Sequence, residues 1–193
     1  FQYVDAGASV ITTNTFRSTK WSYLKAGYNN YDAQEKARKS LFLAVESAQK
    51  AKISDVRIAG SITSIEDCYS PEKFPGRAIV TDIYEQTLKA FDESDVDLIL
   101  FETMGNIHEI KIGLDLSQSI QIPVWLSLIM GDDKHILDGT PITNVISEFP
   151  PNVVNCLLIN CNTIDITKKA IRYLKKKWGG AWGAYPNLGK SDY

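Results

Sequence analysis

The sequence predicts an α/β fold built on a parallel sheet and closed as an eight-stranded (β/α)8 TIM barrel. Three observations carry that reading. Short β-rich runs alternate with amphipathic stretches along the whole chain, the pattern of βαβ units. Runs such as LILF and LLI are apolar without alternation, as strands covered on both faces are. Neither a G-x-G-x-x-G after a strand nor a Walker phosphate loop occurs, which weighs against a doubly wound nucleotide fold. With 193 residues and no long linker, repeat or low-complexity tract, one domain over 1–193 is expected.

Six runs read as strands: 10–14 (VITTN), 56–61 (VRIAGS), 96–102 (VDLILFE), 124–129 (VWLSLI), 153–161 (VVNCLLINC) and 181–187 (AWGAYPN). Between the first two, Ala33, Ala37, Leu41, Ala44, Val45 and Ala48 fall on one stripe, which predicts a helix over 32–51. Later helices are expected over 83–91, 107–116, 142–149 and 163–178. In the last of these, Ile166, Ala170, Ile171 and Leu174 supply the buried face. The segment 64–81, with its SPEKFPGR, is rich enough in Pro, Gly and charge to read as a long loop.

Bulk properties narrow the function. A net charge of −2 gives no electrostatic case for a nucleic-acid or anionic-membrane partner. The basic run Lys175 to Lys177 sits late in a helical pattern, where cations favour the carboxyl end of the dipole. No apolar stretch approaches the roughly 20 residues that span a bilayer, and no signal pattern opens the chain, so a cytoplasmic setting is expected. Three cysteines cannot build a disulfide framework, leaving free thiols or metal ligation. The chain begins with Phe1, from which a fragment or processed product is expected.

In a (β/α)8 barrel the active site forms at the carboxyl ends of the strands. Every predicted strand here ends in polar residues: Thr13, Asn14 and Thr15; Ser61 and Thr63; Glu102 and Thr103; Ser127; Asn160 and Cys161; Tyr185 and Asn187. Any one of them has a plain alternative, since Ser, Thr and Asn there often cap the following helix. Six in succession, with a carboxylate directly after LILF and a thiol directly after LLIN, point to a site.

The stretches AGASVITTNTF (6–16), AGSI (59–62), DLILFETM (97–104), VWLSL (124–128), INCN (159–162) and YPNLG (185–189) resemble, in order and spacing, the homocysteine S-methyltransferase family. That family includes betaine-, S-methylmethionine- and methylcobalamin-linked enzymes. The resemblance covers essentially the whole chain and implies the central portion of a homocysteine-binding barrel. The family's aspartate-glycine-glycine and glycine-glycine-cysteine-cysteine motifs are not in the sequence. About six βα units are therefore expected, with the first and last strands missing.

The resemblance implies methyl transfer to the sulfur of homocysteine, or of a related thiol or selenol, through a zinc-bound thiolate. The partners implied are a small-molecule thiol and a methyl donor; a homo-oligomer stays open. Cys161 corresponds to the family's first zinc thiolate, with the remaining zinc ligands expected beyond the C-terminus. Glu102 corresponds to the glutamate that contacts the amino group of homocysteine, and Asn160 would orient or hydrogen-bond near the thiolate. Thr13, Asn14 and Ser61 would line the pocket floor, and Tyr185 and Asn187 would close it near the metal. Glu102 has the alternatives of capping the helix near Ile107 or pairing with a lysine.

Cys156 lies five residues before Cys161, an odd separation that points it to the opposite face, some 16 Å away at about 3.3 Å per residue. It reads as a small buried apolar residue. Cys68 sits in the long loop, within reach of the site but without further support. His108 and His135 lack metal-ligand spacing and read as surface residues, and Gly7 and Gly60 as turn or close-packing positions. Two other classes remain open from sequence: a metal-independent barrel enzyme using Glu102 as a base, and an inactive truncated fragment acting only through association at its exposed strand edges.

Overall fold

The computed structural model describes residues 2–53, 55–150 and 152–187. Apolar runs with few breaks cannot leave either face in water, and they form one all-parallel sheet in simple sequential order. Its strands are β1 (Val10–Thr12), β2 (Arg57–Ile62), β3 (Leu98–Met104), β4 (Val124–Leu128), β5 (Val154–Thr163) and β6 (Ala181–Asn187). The sheet curls into part of a barrel. On its concave side Ala59, Leu98, Leu100, Cys156 and Leu158 pack together with Val10 and Trp125. On the convex side alternate residues, among them Ile99, Phe101, Leu126, Leu157 and Ile159, join the larger core under the helices.

Those helices are α1 (Gln2–Asp5), α2 (Lys20–Lys25), α3 (Asn30–Gln49), α4 (Arg77–Asp92), α5 (Ile107–Ser117), α6 (Ile142–Ser147) and α7 (Ile164–Leu174). The expected stripe on α3 is buried at Ala33, Ala37, Leu41 and Val45. Side-chain caps fix several starts: Asn29 accepts from the Asp32 amide, and Asn106 accepts from the amides of His108 and Glu109. None of the helices is long and apolar enough to cross a membrane.

Two sequence expectations need correction. The loop expected to run to residue 81 stops at Gly76, whose φ of 100° breaks the chain before α4. Val80, Ile83, Tyr84, Thr87 and Phe91 then bury one helical face, so the apolar spacing outweighs the Pro and Gly just upstream. Helix α2 was not foreseen; its six residues are too few for a periodicity, but Thr19 caps it by accepting from the Ser22 amide. Gly60 serves close packing, since a Cβ there would stand 2.7 Å from the Phe91 ring.

Among the described residues three non-glycine residues have positive φ: Thr103 at 59°, Asn152 at 61° and Cys161 at 56°. Thr103 and Cys161 lie at register shifts, between Phe101 and Met104 on β3 and between Asn160 and Thr163 on β5. A left-handed residue in a strand costs on the order of 1–3 kcal/mol and re-aims its side chain. Both shifts fall at the carboxyl ends of their strands, where a barrel places its chemistry.

Candidate functional site

Strict alternation along β5 would send Cys161 under the helices with Leu157 and Ile159. Its left-handed backbone turns it back, and its Sγ accepts from Asn160 Nδ2 at 3.2 Å. Cys156 keeps the regular alternation and lies on the concave side, buried with Leu98, Leu100 and Leu158. The opposite-face argument for the two cysteines thus fails, because parity does not survive a register shift. Cys156 is nevertheless a buried apolar residue, and burial raises its thiol pKa, with Arg57 opposing.

Asn160 is fully buried and uses its whole amide. Its Oδ1 accepts from the Thr103 amide at 3.1 Å and from Ser127 Oγ at 2.7 Å. Its Nδ2 donates to Thr103 Oγ1 at 2.7 Å as well as to Cys161. A backbone N–H can only donate, so Oδ1 must face Thr103 and Nδ2 must face the sulfur. Thr103 Oγ1 lies 3.5 Å from Cys161 Sγ.

Glu102 follows Leu98 and Leu100 on the concave side. Its Oε2 accepts from Ser61 Oγ at 2.8 Å. It neither caps α5, whose cap is Asn106, nor forms an ion pair with a lysine among the described residues. Tyr185, 38% exposed on β6, brings its hydroxyl to Ser127 and Glu102. Burial of the hydroxyl and the neighbouring Glu102 charge together push its pKa well above the usual phenol range. Ser61 with Glu102, and Ser127 with Asn160, Thr103 and Cys161, thus form two hydrogen-bonded groups at the ends of four neighbouring strands, with Tyr185 of β6 near both.

The remaining predicted residues fall around these groups. Thr13 is buried, donates to the Ala59 carbonyl and accepts from the Ser61 amide, tying β1 to β2. Asn14 is exposed and lines, with Leu43 and Ser47 of α3, a cleft of about 600 Å³. Asn187 Nδ2 donates to the Cys161 carbonyl at 3.2 Å, clamping the turn that aims the thiol. Leu188 and Gly189 of the YPNLG stretch lie outside the described residues.

The loop after β2 is held from several sides. Arg17 Nη1 donates to the carbonyls of Ser64, Ile65 and Glu66 at 3.4, 3.3 and 2.8 Å. Glu109 of α5, 3% exposed, accepts from the Ile65 amide at 2.9 Å, and Tyr84 donates to the Thr63 carbonyl at 3.1 Å. Asn106 Nδ2 donates to the Pro71 carbonyl at 3.0 Å. Cys68 rides on this loop. Burial raises its thiol pKa, with the Arg17 charge opposing and the Asp67 charge adding to the rise. Sequence reasoning gave Arg17 and Glu109 no role; a carboxylate on the same helical stripe as Ile112 and Gly113 was the available signal.

Zinc chemistry needs three or four convergent ligands. Among the described residues no group of three or more His, Cys, Asp or Glu side chains could hold a metal ion. His135 pairs with Asp132 at 2.8 Å, and His108 stacks on Phe74. Cys161 fits as one thiolate ligand, and the described residues do not complete a set around it.

Homocysteine S-methyltransferase 1 of Arabidopsis thaliana is 25% identical over 210 residues, covering 98% of this chain and 64% of the relative. Homocysteine S-methyltransferase of Escherichia coli is 25% identical over 207 residues, covering 97% and 65%. The chain thus spans a little under two-thirds of the length of these relatives. Crystal structures of the homocysteine methyltransferase MmuM from Escherichia coli superpose with TM-scores of 0.82 (metallated form) and 0.85 (oxidized form). Each is 23% identical and covers 97% of this chain and 69% of MmuM, a likeness of fold that makes the curled sheet part of a TIM barrel. The family description Homocysteine S-methyltransferase matches residues 1–193. A match over that whole span decides the membership: this chain belongs to the homocysteine S-methyltransferase family.

Proposed function

We propose that this chain forms the central part of a cytoplasmic barrel enzyme that moves a methyl group to the sulfur of homocysteine or a closely related thiol or selenol. The observation that carries the reading is that Glu102 and Cys161 stand at the same end of one sheet, near the ends of β3 and β5, with Ser127 and Asn160 hydrogen-bonded beside the sulfur. A carboxylate and a thiol so placed suit the two ends of a small amino-acid thiol. Glu102 would receive the substrate ammonium, a charge-assisted contact that gains strength where water is excluded. Ser61 fixes the carboxylate from below by donating to Oε2.

Cys161 is the residue on this chain that would hold zinc. A thiolate-bound zinc supplies the Lewis acidity that keeps a bound thiol deprotonated at neutral pH. The ligand set among the described residues is incomplete, so the steps assigned here are those of the chain itself. Asn160 and Thr103 orient the Cys161 sulfur, Tyr185 and Glu102 orient the substrate, and Leu98, Leu100 and Leu158 keep the floor apolar. In the reaction the substrate sulfur forms a bond to the methyl carbon while the bond from that carbon to the donor breaks, the electron pair leaving with the donor. Orientation of the two partners is the main contribution such a site makes.

Calorimetric titration of the chain with homocysteine and with its analogue lacking the amino group tests the recognition half. Homocysteine should bind more tightly by about tenfold or more, the scale of one charge-assisted hydrogen bond, and Glu102→Gln should erase the difference. Equal binding of the two ligands to the unaltered chain would overturn the assignment of Glu102.

A further inference from the structure

Thr103 is a β-branched residue in the left-handed region, where such residues are genuine outliers. It lies where the β3–β4 pairing shifts register, between Phe101 and Met104. The conformation is held in place by Asn160, which accepts from the Thr103 amide at 3.1 Å and donates to its Oγ1 at 2.7 Å. Thr103 is 5% exposed and Asn160 fully buried, so each of these polar atoms must be satisfied within the protein.

That requirement fixes the direction of the remaining contact. Because Asn160 Nδ2 occupies an acceptor site of Thr103 Oγ1, the threonine's own hydrogen needs an acceptor elsewhere. Cys161 Sγ, at 3.5 Å, is the partner in place. The sulfur already accepts from Asn160 Nδ2. It therefore sits in a cradle of two donors, both supplied by residues beside it on β3 and β5.

We propose that Thr103 is a positioning residue of the sulfur site, twisted out of the strand so that its hydroxyl donates to Cys161 Sγ and fixes where that sulfur stands. Its purpose rests on the methyl-transfer reading, whereas its geometry does not. The same twist leaves Glu102 facing the concave side one residue earlier, so the two strand-end groups serve different parts of the site. The strain at Thr103 is then a functional feature and not a packing accident.

The test uses the intact chain treated with a chelator, at one fixed pH, without substrate. Iodoacetamide alkylation of Cys161 is followed by peptide mass spectrometry and expressed as the ratio of its rate to that in the parent chain. A sulfur held by its donor meets the reagent facing the open end of the sheet, whereas a sulfur released from it is free to turn back under the helices. Thr103→Val keeps the shape and removes the hydroxyl. It should slow Cys161 by about fivefold, the rate equivalent of a hydrogen bond of about 1 kcal/mol. Thr103→Ser should restore the parent rate. Thr103→Gly relieves the backbone strain, so it should raise the unfolding midpoint above that of Thr103→Val while leaving Cys161 as slow. An unchanged rate in Thr103→Val, or a Thr103→Ser variant as slow as Thr103→Val, overturns the proposal. Because neither metal nor methyl donor enters the measurement, its failure is distinguishable from a failure of the methyl-transfer reading.

Discussion

Replacing Asn160 with leucine keeps the bulk of the side chain and removes its polar atoms, and the cost can be worked from the surroundings. Two buried donors lose their acceptor at once: the Thr103 amide and the Ser127 hydroxyl, which is fully buried. A buried donor left unpaired costs about 1–3 kcal/mol. Ser127 can turn its hydroxyl toward Tyr185, so its share is the smaller one, whereas the Thr103 amide is fixed in the backbone. The expected loss is therefore about 2–4 kcal/mol, a large part of the margin by which a chain of this length stays folded. Urea unfolding followed by far-UV circular dichroism measures it. Ser127→Ala is the companion variant: Asn160 Oδ1 keeps its bond to Thr103, and the cost should stay near or below about 1 kcal/mol. A loss below about 1 kcal/mol in Asn160→Leu, or equal losses in the two variants, would refute the claim that the amide is the hub of the site.

Other outcomes follow from the same structure. Gly60→Ala places a methyl 2.7 Å from the buried Phe91 ring and should cost about 1–3 kcal/mol by overpacking. Phe91→Leu introduced alongside it should cost less than the sum of the two single changes in the same unfolding assay. At Asp97, burial raises the pKa, but Lys52 and the Ile58 amide outweigh it and the net shift is downward. A carboxylate lowered in the folded state stabilises above its unfolded value and loses that contribution as pH falls through the folded one. The stability gap between the parent chain and Asp97→Asn should therefore be open at neutral pH and close below about pH 3.9. Glu109 runs the other way: burial raises it, and the Ile65 amide and Ser64 only partly offset that. Its contribution is fully present below the unfolded value and fades as pH rises through the folded one. Glu109→Gln, which keeps an oxygen for Ile65, should gain on the parent chain above about pH 4.3 and match it below, in thermal unfolding across a pH series.

The strand bodies were legible because LILF and LLI leave no polar face, and a parallel sheet is the arrangement that covers both sides. Glu102 and Cys161 were legible for a related reason: a polar residue that abruptly ends such a run marks the strand's carboxyl end. What periodicity could not show was the direction of Cys161, because a two-residue repeat assumes regular strand geometry and φ at this residue is 56°. The same assumption placed Cys156 on the wrong side. The start of α4 was hidden by composition: Pro71, Pro75 and Gly76 drew the loop past the point where Val80 and Ile83 already keep helical spacing. Thr13 also bonds its hydroxyl across the β1–β2 seam, a contact between residues far apart in sequence that no local pattern reports. The partners of Arg17 and Glu109 were hidden for the same reason, since they lie more than forty residues away.

The paired register shifts at the ends of β3 and β5 bear on how many groups a narrow opening can accommodate. A regular strand delivers one inward side chain for every two residues, about 6.6 Å of length. Here each of the two strands delivers neighbours, Glu102 with Thr103 and Asn160 with Cys161, so four chemically distinct groups crowd a space that would otherwise admit two. Such local density is gained at the carboxyl end of each strand, while the stems beneath, Leu98 and Leu100 on one and Leu158 on the other, keep the ordinary spacing of one inward side chain in two.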